Sequence, residues 1–192
     1  MNILEEKTVL RKQMKALRAG MSIASYRSMS MAIMTRCLEL PEYNRAGTIH
    51  VYVSSLNNEA DTIGLIYRMF DQGKRVVIPV CTAEPHTLRH VRIDSIEALR
   101  PGRFGVMEPD GKSSEVVSPG GIDIILAPVL AFDRTGGRLG FGGGYYDGFF
   151  AETTCPKVGL AYSFQEVPVV PRESHDLTLD IILTDKEMVK IP

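Results

Sequence analysis

On a helical wheel Leu10, Met14, Leu17 and Met21 fall on one stripe, and Lys7, Arg11, Lys15 and Arg18 gather on an adjacent one. Residues 4–19 therefore read as an amphipathic helix with a basic edge. Gly20 can end it, and Ser22 can cap a second helix running to about Leu40, where Pro41 forbids continuation. Thr48–Ser54 is a β-rich run. After a polar loop, a helix is expected from about Asp61 to Gln72, closed by Gly73, and Lys74–Val80 reads as a second strand. Strand, helix, strand in that order is the signature of a right-handed crossover between parallel strands.

Thr87–Ile93 alternates apolar and polar residues, as an exposed or edge strand does, whereas Ile122–Leu126 is a continuous apolar run suited to burial on both faces. Lys157–Tyr162 and Asp180–Thr184 add two short strands. The stretch from Pro101 to Gly121, rich in Gly, Pro and Ser, reads as a long loop or series of turns, and loops of that length are often functional.

At 192 residues the chain has the usual size of one domain. Its 44% hydrophobic content and 23% charge are ordinary for a soluble globular protein, and a formal net charge of -1 supplies no general attraction to polyanions. Nucleic acid and membrane are therefore not expected partners. Cys37, Cys81 and Cys155 lie far apart without metal-ligand spacing, so reduced thiols in a cytoplasmic protein are expected. Charges interrupt the N-terminal segment, and no run approaches the length that spans a bilayer.

The strongest chemical signal runs from Asp123 to Phe150, where a buried strand enters a loop carrying Gly136, Gly137, Gly140, Gly142, Gly143 and Gly144. Glycines let backbone N–H groups approach an anion, and a helix beginning near Tyr145 would aim its amino terminus at the same place. No Gly-Lys-Ser/Thr follows, so this is not a P-loop, and the spacing gives no dinucleotide fingerprint. Composition alone also fits a surface turn. The surrounding Arg138, Tyr145, Tyr146 and Asp147 favour a ligand site, because they supply a phosphate clamp, stacking faces and a metal-binding oxygen.

Other candidates are open to two readings. Glu59 follows a strand end and could bind a substrate's amine or amide, or could simply favour the next helix, with Asp61 as N-cap. His175 could be a base or ligand, or could bond neighbouring backbone. Asp180, at the lip of an apolar strand, suggests a Mg²⁺ shared with Asp147. Lys7 and Arg11, one turn apart, either clamp a polyphosphate or belong to a solvated face. Phe104 is either a core residue or a stacking face in a loop.

The run RLGFGGGYYD, preceded by APVLAFD and followed by KVGLAY, HD and LDIILTD, resembles the 5-formyltetrahydrofolate cyclo-ligase family. The opening K-x-x-x-R helix, YVSSLNNEADT, VVIPV and GRFGVMEP fall in the same order, so the resemblance covers almost the whole chain. It implies a three-layer α/β/α fold with a mostly parallel central sheet in a single domain over residues 1–192. It also implies ATP- and Mg²⁺-dependent cyclisation of 5-formyltetrahydrofolate to 5,10-methenyltetrahydrofolate, with release of ADP and phosphate through a phosphorylated formyl intermediate. Carried over position by position, nucleotide contacts would fall on Lys7, Arg11, Arg138, Leu139, Gly140, Phe141, Gly142, Gly143, Gly144, Tyr145 and Tyr146. Folate contacts would fall on Ser54, Glu59, Phe104 and Tyr145, metal ligation on Asp147 and Asp180, and catalysis on Arg138, Tyr145 and Asp147. A monomer or weak homodimer is expected.

The pattern departs from many members of that family at Gly148 and Gly143, where basic residues are common; Arg134 is a possible substitute. Rival readings are a sugar-phosphate isomerase or acyl-transfer enzyme, which would need no ATP, and a folate-binding store, which would need no metal-bound triphosphate.

Overall fold

The computed structural model describes residues 2–55, 58–102, 105–109 and 115–192. Its elements in chain order are α1 (Ile3–Ala19), α2 (Ile23–Glu39), α3 (Pro41–Arg45), β1 (Thr48–Val51), α4 (Ile63–Asp71), β2 (Arg75–Cys81), β3 (Leu88–Ile93), β4 (Leu99–Pro101), β5 (Met107–Pro109), β6 (Ile124–Pro128), β7 (Ala131–Phe132), β8 (Arg138–Leu139), α5 (Tyr145–Ala151), β9 (Lys157–Leu160), β10 (Ile181–Leu183) and β11 (Met188–Lys190). A seven-stranded sheet in the order β11-β10-β9-β6-β1-β2-β3 forms the middle layer. The five inner strands are parallel, and β3 and β11 close the two edges antiparallel to their neighbours.

Two-residue periodicity sorts the strand side chains into two faces. Ile49 and Val51, Val76 and Ile78, Ile124 and Leu126, Val158 and Leu160, and Ile181 and Leu183 pack on one face with Ile33 and Cys37 of α2 and Leu65, Ile66 and Met69 of α4. The intervening Val77, Ile125, Ala127 and Ile182 pack on the other with Phe149 and Phe150 of α5. The result is the expected three-layer α/β/α arrangement with a mostly parallel sheet.

Several expected boundaries shift, for local reasons. The first strand stops at Val51 because Tyr52–Ser54 turn toward α4, where Ser54 N–H donates to Thr62 Oγ1 at 3.0 Å and Thr62 Oγ1–H donates to Tyr52 O at 2.7 Å. The N-cap is Thr62 and not Asp61 as expected; Asp61 stands one residue earlier and accepts from Ile63 N–H at 2.9 Å. The stretch expected as loop from Pro101 to Gly121 contains β5, paired with β4, and a 3₁₀ turn at Pro119–Gly121. On α1 the inward face is Lys7, Met14 and Arg18; Leu17, expected on the apolar stripe, is half exposed.

Between β7 and β8 the chain turns around the buried carboxylate of Asp133. It accepts from Thr135 N–H, Thr135 Oγ–H and Gly137 N–H on one oxygen and from Val170 N–H on the other. Burial alone would raise its pKa; those four bonds outweigh burial and hold it below the usual carboxylate range. A Cβ at Gly137 would lie 2.4 Å from this carboxylate, so the close approach admits only glycine. The turn thereby fixes the takeoff of the segment that follows β8.

Beneath α5, Phe149 contacts His50 of β1 and His90 of β3, with ring centroids at 4.6 and 3.9 Å, and the two imidazoles meet edge-on at 5.2 Å. His50 is fully buried, and among the described residues neither of its ring nitrogens has a hydrogen-bond partner. Desolvation, together with its neighbour His90, drives the His50 pKa well below its ordinary value, and desolvation lowers His90 to about 4. Because the folded pKa values lie below the unfolded value near 6.5, the unfolded chain binds more protons in mild acid. Stability is therefore expected to fall as pH drops from about 6.5 toward 4, with His50 contributing roughly 1 kcal/mol per pH unit. Urea titrations from pH 7.5 to 4.5 check this: His50→Val should flatten the slope even if the plateau falls, and an unchanged slope would mean that other groups carry it.

Candidate active site

The order β6-β1-β2 places β1 at a switch point: the chain leaves β1 toward β2 on one side, while β6, β9 and β10 extend the sheet on the other. Crevices at such points lie outside the carboxyl ends of the strands. Two connections leave that end of the sheet, one after β1 with described residues 52–55 and 58–62, and one after β6 with residues 129–144. They contain most of the candidates expected from sequence.

Glu59 sits in a stretch whose three successive carbonyls are each held by a side chain. Arg18 Nε–H donates to Asn58 O at 3.2 Å, Tyr162 O–H to Glu59 O at 3.1 Å and Tyr52 O–H to Ala60 O at 2.8 Å. Asn58, at φ 49°, returns a bond from its amide to Arg18 O at 3.0 Å. The Glu59 side chain is itself 9% exposed. Desolvation lowers the pKa of buried Arg18 and the Glu59 carboxylate opposes that shift, so the two are electrostatic partners. Desolvation and then the Glu59 charge raise Tyr52 well above its usual range. Tyr146 is also pushed up by desolvation, with Glu59 adding to the effect and Arg138 opposing it. Glu59 thus shares an electrostatic neighbourhood with the residues after the glycine loop. Ser54, expected as a folate contact, spends its hydroxyl on Asp61 at 3.0 Å. Phe104 lies outside the described residues.

Arg138, 9% exposed, opens β8 and donates to Asp147 Oδ1 at 2.9 Å. Its guanidinium lies 5.6 Å from the Tyr146 ring and 5.1 Å from that of Phe150, a packed cation-π position. The phenolic oxygen of Tyr146 is buried without a partner among the described residues. Leu139 is buried against Met14 and Val170, so it supports the loop from below. In the loop itself, Gly140 O accepts from Arg11 Nε–H at 3.0 Å, and Phe141 lies over Arg18 and Lys15 at 5.6 and 5.7 Å. Gly142 holds φ 106°, and a Cβ there would lie 3.4 Å from the Arg11 guanidinium. Tyr145 is half-buried at the start of α5, a helix of seven residues. So short a helix leaves the loop amides, more than a helix dipole, to face an anion.

One turn before Arg11, Lys7 is buried and paired with Glu173 at 2.8 Å and Asp176 at 2.6 Å. Burial would lower its pKa, but the bonds to Asp176 and Glu173 outweigh burial and raise it. In turn, Lys7 and the Glu173 amide overcome burial to lower Asp176. Lys7 and Arg11 are therefore not a solvated face; they join the 173–176 turn to the glycine loop. Among the described residues, Glu173, His175 and Asp176 form the group of potential metal ligands whose donor atoms lie within 4.8 Å of one another.

Asp180 belongs elsewhere. It accepts from Lys157 N–H at 2.7 Å at the amino ends of β9 and β10, as Asp123 accepts from Gly47 and Thr48 at the amino end of β1. The expected sharing of a cation with Asp147 is not supported by this placement: Asp147 pairs with Arg138, on the first turn of α5, and Asp180 ties strand starts together. Sequence reasoning gave no functional role to Arg18 or to Glu173 and Asp176. Arg18 was visible on the basic edge of α1, eleven residues after Lys7.

Residues 3–185 match the model of the 5-formyltetrahydrofolate cyclo-ligase family. The chain is 30% identical over 183 residues to the 5-formyltetrahydrofolate cyclo-ligase of Haemophilus influenzae, covering 93% of this chain and 97% of that protein. It is 29% identical to the mouse protein of the same name, covering 91% of each. The solved structure of Aquifex aeolicus 5,10-methenyltetrahydrofolate synthetase superposes with a TM-score of 0.84 at 32% identity, covering 96% of this chain and 92% of that one. The converging loops at the switch point and these full-length matches lead to one assignment: the chain belongs to the 5-formyltetrahydrofolate cyclo-ligase family.

Proposed function

We propose that this enzyme couples ATP hydrolysis to cyclisation of 5-formyltetrahydrofolate, and that it does so at the switch-point crevice as a single domain. The observation that carries the reading is convergence: Lys7 and Arg11 of one helix edge reach an acidic turn and the glycine loop, and Glu59 shares the surroundings of Tyr146. A formamide oxygen is a poor leaving group. Its attack on the terminal phosphoryl group of ATP releases ADP and converts it into phosphate ester oxygen, after which the second folate nitrogen bonds to the formyl carbon and phosphate departs.

The loop amides of residues 140–144, with Arg11 and Arg138, bind and orient the triphosphate in this reading, since phosphoryl transfer is mainly positioning and charge stabilisation. Glu59, fixed by its carbonyl clamps, accepts from the pterin's amine and amide groups, and Tyr145 offers a stacking face. The Glu173 and Asp176 carboxylates, whose oxygens lie close together, suit Mg²⁺, a hard cation that prefers carboxylate oxygens: they would hold it, and when bound it would neutralise phosphate charge. Lys7 is saturated by carboxylates in the free protein. Lys7 would turn from these carboxylates to triphosphate oxygens only where the carboxylates in turn faced a cation, so that no buried charge is left unpaired. No helix among the described residues is long and apolar enough to cross a membrane, and the three cysteines are thiols; a cytoplasmic location agrees with both.

Mixing the protein with 5-formyltetrahydrofolate, Mg²⁺ and ATP should raise the absorbance of the methenyl product, with no change when ATP is omitted; product without ATP would end this reading. Arg138→Lys and Asp147→Asn should each lower kcat by about 10²–10³-fold, because a transition-state contact is lost. Near-normal turnover in either variant removes that residue from the catalytic set. Glu59→Gln should raise the KM for folate about tenfold, the equivalent of roughly 1.4 kcal/mol. If thermal stability falls while folate affinity holds, Glu59 serves only as the partner of Arg18.

A further inference from the structure

The turn joining β2 to β3, residues 82–87, reaches across to the glycine loop through the side chain of His86. Its Nδ1 lies 2.5 Å from Gly143 O. A carbonyl oxygen only accepts, so Nδ1 carries the proton and donates. Contact extends along the backbone: a Cβ on Gly144 would lie 2.9 Å from His86 Nδ1, and one on Gly148 would lie 3.3 Å from His86 O. The imidazole also stands 6.3 Å from the Tyr145 ring. His86 itself holds φ 61°, a conformation that costs a residue with a Cβ about 1 kcal/mol or more. The β2–β3 register, fixed from Val76↔Ile93 through Cys81↔Leu88, anchors this turn to the sheet.

We propose that His86 is a positioning residue of the nucleotide site, latching the glycine loop open for phosphate; this rests on reading residues 140–144 as that site. The peptide bond between Gly143 and Gly144 is trans, so its C=O and N–H point in opposite directions. Drawing the Gly143 carbonyl onto His86 therefore turns the Gly144 N–H away from the β2–β3 turn, into the loop. A run containing Gly140, Gly142, Gly143 and Gly144 loses much conformational entropy when it orders around a ligand. The latch bears part of that cost before ATP arrives, which is how preorganisation raises affinity. His86 touches loop backbone and not the reacting atoms, so its effect belongs on nucleotide affinity and not on the chemical step.

Two substitutions separate the bond from the turn. His86→Gly keeps the positive φ without strain and removes the donor. His86→Asn tolerates the same φ and returns an amide N–H at the position of Nδ1. Titration calorimetry with a non-hydrolysable ATP analogue and Mg²⁺ should show His86→Gly binding about fivefold more weakly, the worth of roughly one hydrogen bond. His86→Asn should fall within about twofold of the wild type, and both variants should keep the wild-type folate KM and saturated kcat. Equal affinity of the wild type and His86→Gly overturns the latch alone. Equal weakness of the Gly and Asn variants also overturns it, because the restored donor would then count for nothing. A wild type that binds no nucleotide overturns the reading of the loop, and the latch falls with it.

Discussion

Cations on one edge of a helix can be buried only if something inside the protein answers each of them. Lys7, Arg11 and Arg18 of α1 are turned toward the molecule, and the groups that answer them belong to three distant segments. Lys7 takes the carboxylates of the 173–176 turn, Arg11 takes a carbonyl of the glycine loop, and Arg18 takes the 58–59 backbone and the Glu59 charge. An unpaired buried charge costs several kcal/mol, so these pairings fix where the segments stand relative to one another. The helix acts as a rail along which the parts of the site are spaced.

The sheet supplies the other constraint. Parallel strands put their connections at one edge, and the change of direction at β1 brings the loops after β1 and β6 to the same crevice. Aspartates at the opposite edge, Asp123 and Asp180, cap strand starts and hold the register. Under the crevice, α5 rests on Phe149, Phe150 and the neutral pair His50 and His90. Each buried phenylalanine is worth roughly 2–3 kcal/mol, enough to seat a helix too short to be stable alone. The charged residues above it can therefore be strained or exchanged without loosening the scaffold.

Charge in the crevice is paired within the free protein: Lys7 with two carboxylates, Arg138 with Asp147, Arg18 with Glu59. Pairing of this kind leaves each of these buried cations answered by an anion of the same chain.

Hydrophobic patterning determined the α/β class, the edge position of β3 and the approximate extent of the long helices, because periods of 2 and 3.6 are properties of local chain geometry. The motif RLGFGGGYYD determined the glycine loop and its Arg138 and Asp147, since these residues are adjacent in the chain. What periodicity missed were β4, β5, β7, β8 and β11, strands of two or three residues whose pairing is decided by partners elsewhere. Only the tertiary structure decided which carboxylates face the site. Asp176 and Asp180 are four residues apart and of one residue type, yet one lies against Lys7 and the other ties β9 to β10. Likewise, whether the basic edge of α1 faced water or the interior, and whether His86 reached Gly143, depended on contacts between residues 40 to more than 160 positions apart, which no local pattern records.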